Sequence, residues 1–303
     1  MSNPLRLGTR ASALAQWQAN WVAARLRELG TVVDVILMTT QGDTEKGSLV
    51  NFGGQGLFTK ELQRALLANE IDLAVHSLKD LPTQTVPGLS IAAVPEREEC
   101  GDALVANDVA SLEALPERAV VGTGSLRRKA QLLNLRPDLE VTDIRGNVET
   151  RLKKLDDGQF QAIVLAEAGL RRLELATRIS QIIPKSIMLP AIGQGALGIE
   201  IRHDDDATLS AVQLLDDPVS HQCAIAERAL LATLRAGCLA PVGAWGRVKE
   251  DQLQLDAIVL SPDGQSAVRA NGLGAPDESR QLGESVATEL LSQGAAELIA
   301  AAH

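Results

Sequence analysis

Short apolar runs alternate with longer helical patterns along most of this 303-residue chain. That alternation is the grammar of β-α-β units, and it restricts the fold to packed layers of helix and sheet. A strand at 5–7, a helix over about 11–29 and a strand at 32–38 make the first such unit. Further strands are predicted at 71–75, 89–94, 119–121, 162–165 and 197–201, most of them followed by helical periodicity. In the first helix Leu14, Trp17, Trp21 and Ala24 recur at three-to-four spacing, which predicts the buried face there. The C-terminal part differs. A helix over 219–235, a Gly-Cys loop, strands at 244–248 and 252–260 and a turn at Asp263-Gly264 predict a small α+β domain from about residue 217.

Two internal echoes link the first two-thirds of the chain. LRLGTRAS at 5–12 and VVGTGSLRR at 120–128 both read strand, Gly-Thr, Ser, helix. The stretches at 61–77 and 150–168 each read as an amphipathic helix followed by a buried strand that ends in small residues. Two similar α/β lobes facing a cleft account for both echoes.

Composition removes several functions. Lys plus Arg number 29 against 39 Asp plus Glu, a net charge of −10, which is the wrong sign for a protein that neutralises nucleic-acid phosphates. Aromatic residues are 2% with no Tyr, so base-stacking platforms are missing too. Cys100, Cys223 and Cys238 are odd in number and lack CxxC spacing, which supports neither a disulfide framework nor a zinc site. No metal is expected. The N-terminus has no signal-peptide pattern and no run approaches about 18 apolar residues, so a cytoplasmic protein without membrane contact is expected.

The chemistry is concentrated at the strand ends. A strand that enters a helix through Gly-Thr-x-Ser leaves backbone N–H groups at the positive helix end, which attracts anions. Arg10 and Ser12 flank the first such turn, and Ser125, Arg127 and Arg128 the second. Arg145, Arg151 and Arg172 follow on later loops or helix starts. Any one of these arginines could be solvated surface, but their concentration in an acidic chain points to a polyanionic small molecule. His76, Lys79 and Asp80 lie at the carboxyl end of a strand, where α/β ligand crevices form, with a simple Lys79–Asp80 ion pair as the plain alternative. Residues 41–56 are glycine-rich with few apolar anchors, which predicts a mobile loop over the cleft at about 42–56. Cys223 has core spacing. Cys238 follows Gly237 before a Pro-containing loop, a setting equally compatible with a buried thiol and with covalent attachment.

Taken in order, LRLGTRASALAQWQA, GGQGLFTKEL, AVHSLKDLP, VGTGSLRRKAQL, DIRGNVETRL, LPAIGQGALGIE and RAGCLAPVGAW closely resemble the hydroxymethylbilane synthase (porphobilinogen deaminase) family from residue 5 to about 245. The resemblance implies a transferase of tetrapyrrole biosynthesis, generally monomeric. Such an enzyme joins four porphobilinogen molecules head to tail with loss of ammonia, and then releases hydroxymethylbilane by hydrolysis. It further implies a dipyrromethane primer attached by a thioether to Cys238, and three domains. These are 1–95 with 196–216, 96–195 and 217–303, the first two being doubly wound α/β lobes that resemble two-lobed periplasmic binding proteins. Asp80 matches the catalytic aspartate, which accepts pyrrole N–H hydrogen bonds and stabilises the cation left when ammonia departs. Lys79, Asp80, Thr123, Gly124, Ser125, Arg127, Arg128, Gly146 and Ala166 match the primer's surroundings. Arg10, Ser12, Phe58, Arg145, Arg151, Arg172 and Gln194 match the substrate set. The same strand ends and arginines could also serve a carboxylate-binding protein without catalysis, and Lys79 a Schiff-base enzyme. Cys238 and the third domain speak against both.

One position departs from the family pattern. Gln55 stands in GGQGLF where the family commonly has lysine, which removes a positive charge from the expected loop. Gln55→Lys is expected to lower KM, by about 0.2–1 kcal/mol in binding for an exposed pair, and to make KM more salt-sensitive. Steady-state kinetics at two ionic strengths check it. Unchanged KM and salt response would place the position away from substrate.

Overall fold

The computed structural model describes residues 3–38, 59–237 and 240–302. The glycine-rich segment at about 42–56, Gln55, Phe58 and Cys238 lie outside the described residues. The chain forms two compact units, 1–97 with 196–221 and 98–195 with 222–303.

The first unit contains β1 (Leu5–Arg10), α1 (Ala13–Glu28), β2 (Val33–Met38), α2 (Lys60–Leu67), β3 (Leu73–Ser77) and β4 (Leu89–Ala93). After the excursion into the second unit the chain returns as β10 (Leu197–Arg202), followed by α6 (Asp206–Val212). The sheet order is β2-β1-β3-β10-β4. β1 is parallel to β2 and β3, whereas β10 runs antiparallel to β3 and β4. One face packs Leu7, Leu73 and Ile199 against Val22 and Leu26 of α1, and the other places Ile71 and Ala74 beneath Leu62 and Leu66 of α2. Both faces are covered, which is why β3 reads as a near-continuous apolar run.

The buried face of α1 is not the one the spacing predicts. Gln18, Ala19, Val22, Ala23 and Leu26 are buried, Trp17 and Trp21 are half-buried and Ala24 is exposed. The small alanines bring the helix backbone close to the sheet. The bulkier indoles take the flank, where the Arg25 guanidinium lies 5.5 Å from the Trp21 ring centre.

The second unit begins with β5 (Asp102–Ala106), β6 (Val120–Gly122), α3 (Leu126–Leu135), β7 (Glu140–Thr142), α4 (Val148–Asp156), β8 (Ala162–Ala166), α5 (Glu167–Arg172) and β9 (Gln181–Ile183). Its sheet order is β7-β6-β8-β5-β9. β6 is parallel to β7 and β8, and β5 is antiparallel to β8 and β9. This repeats the first sheet strand for strand, with β6 in the place of β1, β8 of β3 and β5 of β10, so the internal echoes mark one architecture used twice.

The rest of the chain supplies α7 (Pro218–Thr233), β11 (Val242–Lys249), β12 (Gln252–Leu260), β13 (Ala267–Gly274), α8 (Ser279–Ser292) and α9 (Ala295–Ala300). The three strands form an antiparallel meander, and the turn expected at Asp263-Gly264 joins β12 to β13. The β11–β12 hairpin closes on only Glu250 and Asp251, both left-handed at φ 53° and 59°, the twist that two-residue hairpins require. Cys223 is buried with Leu230, Leu255 and Val286 in the core over this sheet, as its spacing predicts. Gly283 in α8 faces α7 so closely that a Cβ there would collide with the Ala226 carbonyl. Among the described residues no helix is long and apolar enough to cross a membrane.

Candidate functional site

In the first unit the carboxyl ends of β1 and β3 lie side by side, because the two strands are parallel neighbours. β1 ends at Arg10, and Ser12 then caps α1, its hydroxyl accepting from the Ala15 N–H at 3.4 Å. β3 ends at Ser77 and passes into a single 3-10 turn, Leu78–Asp80, which carries a half-buried Lys79 and an exposed Asp80. Arg10, Ser12, Gln18, His76, Ser77 and Asp80 line one cavity. The structure thus brings together Arg10, Ser12 and Asp80, which are 70 positions apart at the extremes of the sequence segment and adjacent only through strand pairing. A guanidinium and a carboxylate in one cavity complement a small molecule that carries both charges.

Gln18, Ser77, Gln63 and Glu200, which the sequence reading passed over, hydrogen-bond beside these residues and His76. The Gln18 amide donates to the Ser77 hydroxyl at 2.9 Å. The His76 ring, buried, meets Glu200 Oε2 through Nε2 at 3.0 Å, and the Gln63 amide donates to Glu200 Oε1 at 3.0 Å. Glu200 comes from β10, far along the chain. Its one sequence signal is a carboxylate within the apolar strand pattern LGIEIR.

The second unit repeats the turn but fills it differently. Ser125 caps α3, accepting from the Arg128 N–H at 3.4 Å, and Thr123 Oγ1 accepts from the Ser125 N–H at 3.2 Å. Arg127 and Arg128, in the first turn of α3, point inward and are 3% and 5% exposed. Both converge on Asp102, which is wholly buried on β5. Arg127 donates to it at 2.6 and 3.2 Å, Arg128 at 2.8 Å and the Gln194 amide at 2.9 Å. Arg127 also donates to the Leu189 carbonyl at 2.7 Å, and Arg128 to the Val164 carbonyl at 3.1 Å and Gln194 Oε1 at 3.3 Å. Burial alone would raise the Asp102 carboxyl. The Arg127 and Arg128 charges overcome it and hold the group well below the usual carboxylate range. Arg128 is pushed down to about 10, chiefly by burial, with Asp102 pulling the other way.

Arg172, at the end of α5, is likewise buried, donates to the Gly195 carbonyl at 2.7 Å and is pushed down to about 10 by burial, opposed by Glu98. Gly195 sits at φ +85° where a Cβ would collide with the Glu98 carbonyl, so the Gln194 loop depends on glycine there. Ala166 ends β8. Arg145, Gly146 and Arg151 are more open, with Arg151 and Asp143 beside Gly124 of the same turn: Arg145 pairs with Asp143 at 2.6 Å, and Arg151 donates to the Gly146 carbonyl at 2.8 Å. The sequence reading treats the arginines as one set, whereas the structure divides them into buried and accessible groups. It missed Asp102, whose signal is an acidic residue opening the apolar strand DALVA. It also missed Glu227 of α7, fully buried, which accepts from the Gly193 N–H at 2.7 Å and the Gly246 N–H at 2.8 Å. Among the described residues no cluster of three or more His, Cys, Asp or Glu could hold a metal.

A family model described as porphobilinogen deaminase, dipyromethane cofactor binding domain, matches residues 5–210, and one described as porphobilinogen deaminase, C-terminal domain, matches residues 221–292. The chain belongs to the porphobilinogen deaminase family. Porphobilinogen deaminase of Chlorobium limicola is 47% identical over 306 residues, covering 99% of this chain and 98% of its own. That of Chlorobium chlorochromatii is 46% identical over 302 residues, covering 97% and 96%. Among solved structures, a periplasmic binding protein of high arginine specificity from Salmonella typhimurium is similar at a TM-score of 0.40 and 15% identity, over 71% of this chain and 92% of that one.

Membership of the porphobilinogen deaminase family makes the chain a transferase with hydroxymethylbilane synthase activity that uses a dipyrromethane cofactor. The donor set of the second unit fits such a carboxylate-bearing group. Arg127 and Arg128 share the single charge of Asp102, so the buried cluster retains an excess of positive charge, next to the capped N-terminus of α3.

Asp102→Asn leaves these guanidiniums buried beside a neutral amide. Breaking a buried pair costs about 3–5 kcal/mol, so a lower Tm and loss of bound cofactor are expected. Because the Asp102 carboxyl lies below its unfolded value of 3.8, its contribution is fully present above that value and is lost only as pH falls through the folded value. The stability gap between wild type and variant should therefore be flat from pH 5 to 8 in denaturant titrations. A variant as stable as wild type with cofactor retained would remove Asp102 from this role.

Proposed function

We propose that porphobilinogen enters the cavity of the first unit and that Asp80 is its catalytic residue. The observation that carries this is the meeting of Asp80 with Arg10 and Ser12 at the ends of two adjacent parallel strands. Arg10 and the capped end of α1 bind substrate carboxylates. Asp80, exposed at the cavity, accepts pyrrole N–H hydrogen bonds and supplies negative charge where positive charge develops as ammonia leaves. The alternative of a carboxylate-binding protein without catalysis gives no work to an acidic group placed among anion-binding ones.

The dipyrromethane supplies, when bound, a nucleophilic pyrrole carbon on which the chain of substrate units is built. Cys238 holds it by a thioether. Lys79, Asp80, Thr123, Gly124, Ser125, Gly146 and Ala166 are the residues assigned to bind it, and Arg127 and Arg128 would supply positive charge for its carboxylates. Arg145, Arg151 and Arg172, with Gln194, receive the carboxylates that accumulate with each added unit, and Phe58 stacks on a pyrrole ring. We assign three domains, 1–95 with 196–216, 96–195 and 217–303, and a monomer that works in the cytoplasm.

Two experiments test the assignment. The intact mass of the purified protein should exceed the sequence mass by two linked pyrrole units, and the excess should vanish in Cys238→Ser; an active protein at sequence mass overturns the attachment. Asp80→Asn should fold and keep its cofactor while kcat falls by about a hundred- to a thousandfold, the usual loss on removing one preorganised electrostatic group. Near-normal turnover would show that Asp80 is not the catalytic carboxylate.

A further inference from the structure

Asp80 cannot be both the stabilising charge and the base of the reaction. A carboxylate stabilises the cation formed from porphobilinogen only while it stays charged, and it loses that charge on accepting a proton. Each coupling nevertheless releases one. The C–N bond of the aminomethyl group breaks and its electron pair leaves with nitrogen as ammonia. A C–C bond forms at the methylene carbon. The C–H bond at the pyrrole α-carbon then breaks, its electron pair restoring the aromatic ring and its proton passing to a base. The ammonia released in the same cycle carries that proton away as ammonium.

We propose that His76 is this base, so that Asp80 remains ionised throughout. His76 lines the same cavity as Asp80 and Arg10. Nε2 faces Glu200 Oε2 at 3.0 Å, and the Gln63 amide fixes the other Glu200 oxygen at 3.0 Å. A carboxylate acceptor on Nε2 places the ring proton there and leaves the lone pair on Nδ1, the base-and-orienter arrangement of a carboxylate–histidine pair. His76 is 5% exposed and Glu200 4%, so the pair is sheltered from bulk water. Its position is fixed by strand pairing: His76 lies opposite Gly198 on β10, two residues before Glu200. The charged groups are Glu200 on β10, against the ring, and Arg10 on β1 and Asp80 after β3, which line the same cavity. Gln63 of α2 contributes no charge.

This inference rests on the first unit's cavity being the porphobilinogen site, and the tests separate the two. His76→Gln keeps an amide donor toward Glu200 but removes the basic nitrogen. General-base loss typically costs about a hundred- to ten-thousandfold, so kcat should fall at least tenfold while KM stays within about twofold. The rate ratio between porphobilinogen and its analogue deuterated at the free α-carbon should also rise above 2, because C–H cleavage becomes limiting. Glu200→Gln, which keeps an acceptor on Nε2 but loses the charge, should show a smaller fall with the same trend. A fall in kcat without an isotope effect marks a merely structural residue and overturns the proposal, as does unchanged kcat. Independently of turnover, nitrogen NMR of the resting holoenzyme, its four histidines sorted by comparison with His76→Gln, should show His76 with the proton on Nε2. A proton on Nδ1 with Nε2 bare overturns the proposal whatever the turnover of the variants. If Asp80→Asn leaves both kcat and KM unchanged, the cavity assignment itself fails.

Discussion

Asp102 accepts hydrogen bonds from Arg127, Arg128 and Gln194, three side chains delivered by a helix start and a glycine-bracketed loop. Burying a carboxylate without such partners is prohibitive, and burying two adjacent guanidiniums without it is no better. Each group is therefore the condition for the others. The same contacts fix the beginning of α3, the edge of β5 and the Gln194 loop, which Glu227 grips from α7 through the Gly193 N–H. Within the second unit the start of α3, the start of β5 and the Gln194 loop hang on one buried charge cluster rather than on apolar packing alone.

The two lobes show one architecture carrying two different sets of side chains. In both, a parallel strand runs into a serine-capped helix, and a second strand ends beside it. The first lobe places an arginine, a histidine and an aspartate around the resulting cavity. The second turns its arginines inward and spends the space on a buried electrostatic cluster. Backbone geometry supplies the anion-binding helix ends, and the side chains decide what else happens there.

Much of this is legible in the sequence, and what is not has a physical reason. The β-α-β alternation, the echo of Gly-Thr-x-Ser turns and the C-terminal meander follow from periodicity and turn chemistry, which are local. β5, β7 and β9 were not foreseen. The last two are three residues long, too short for any period to emerge. The α1 face was misjudged because hydrophobicity favours tryptophan, whereas the close approach of helix to sheet favours alanine. Asp80, Arg10 and the serine caps announce themselves by position. Asp102, Glu200 and Glu227 do not, since the meaning of a buried carboxylate lies in partners 19 to 137 positions away.

The central antiparallel strand enters the two sheets at opposite ends of their sequences. β5 opens the second lobe, whereas its counterpart β10 closes the first, lying between β3 and β4. During synthesis, therefore, β4 waits without a neighbour while about a hundred residues follow it, roughly 5 to 20 s at ribosomal rates. The second lobe can complete its sheet in that interval and the first cannot. Order of assembly is thereby reversed relative to order of emergence. The exposed edge of β3 is the place where chaperone capture, or mispairing with another nascent chain, would strike.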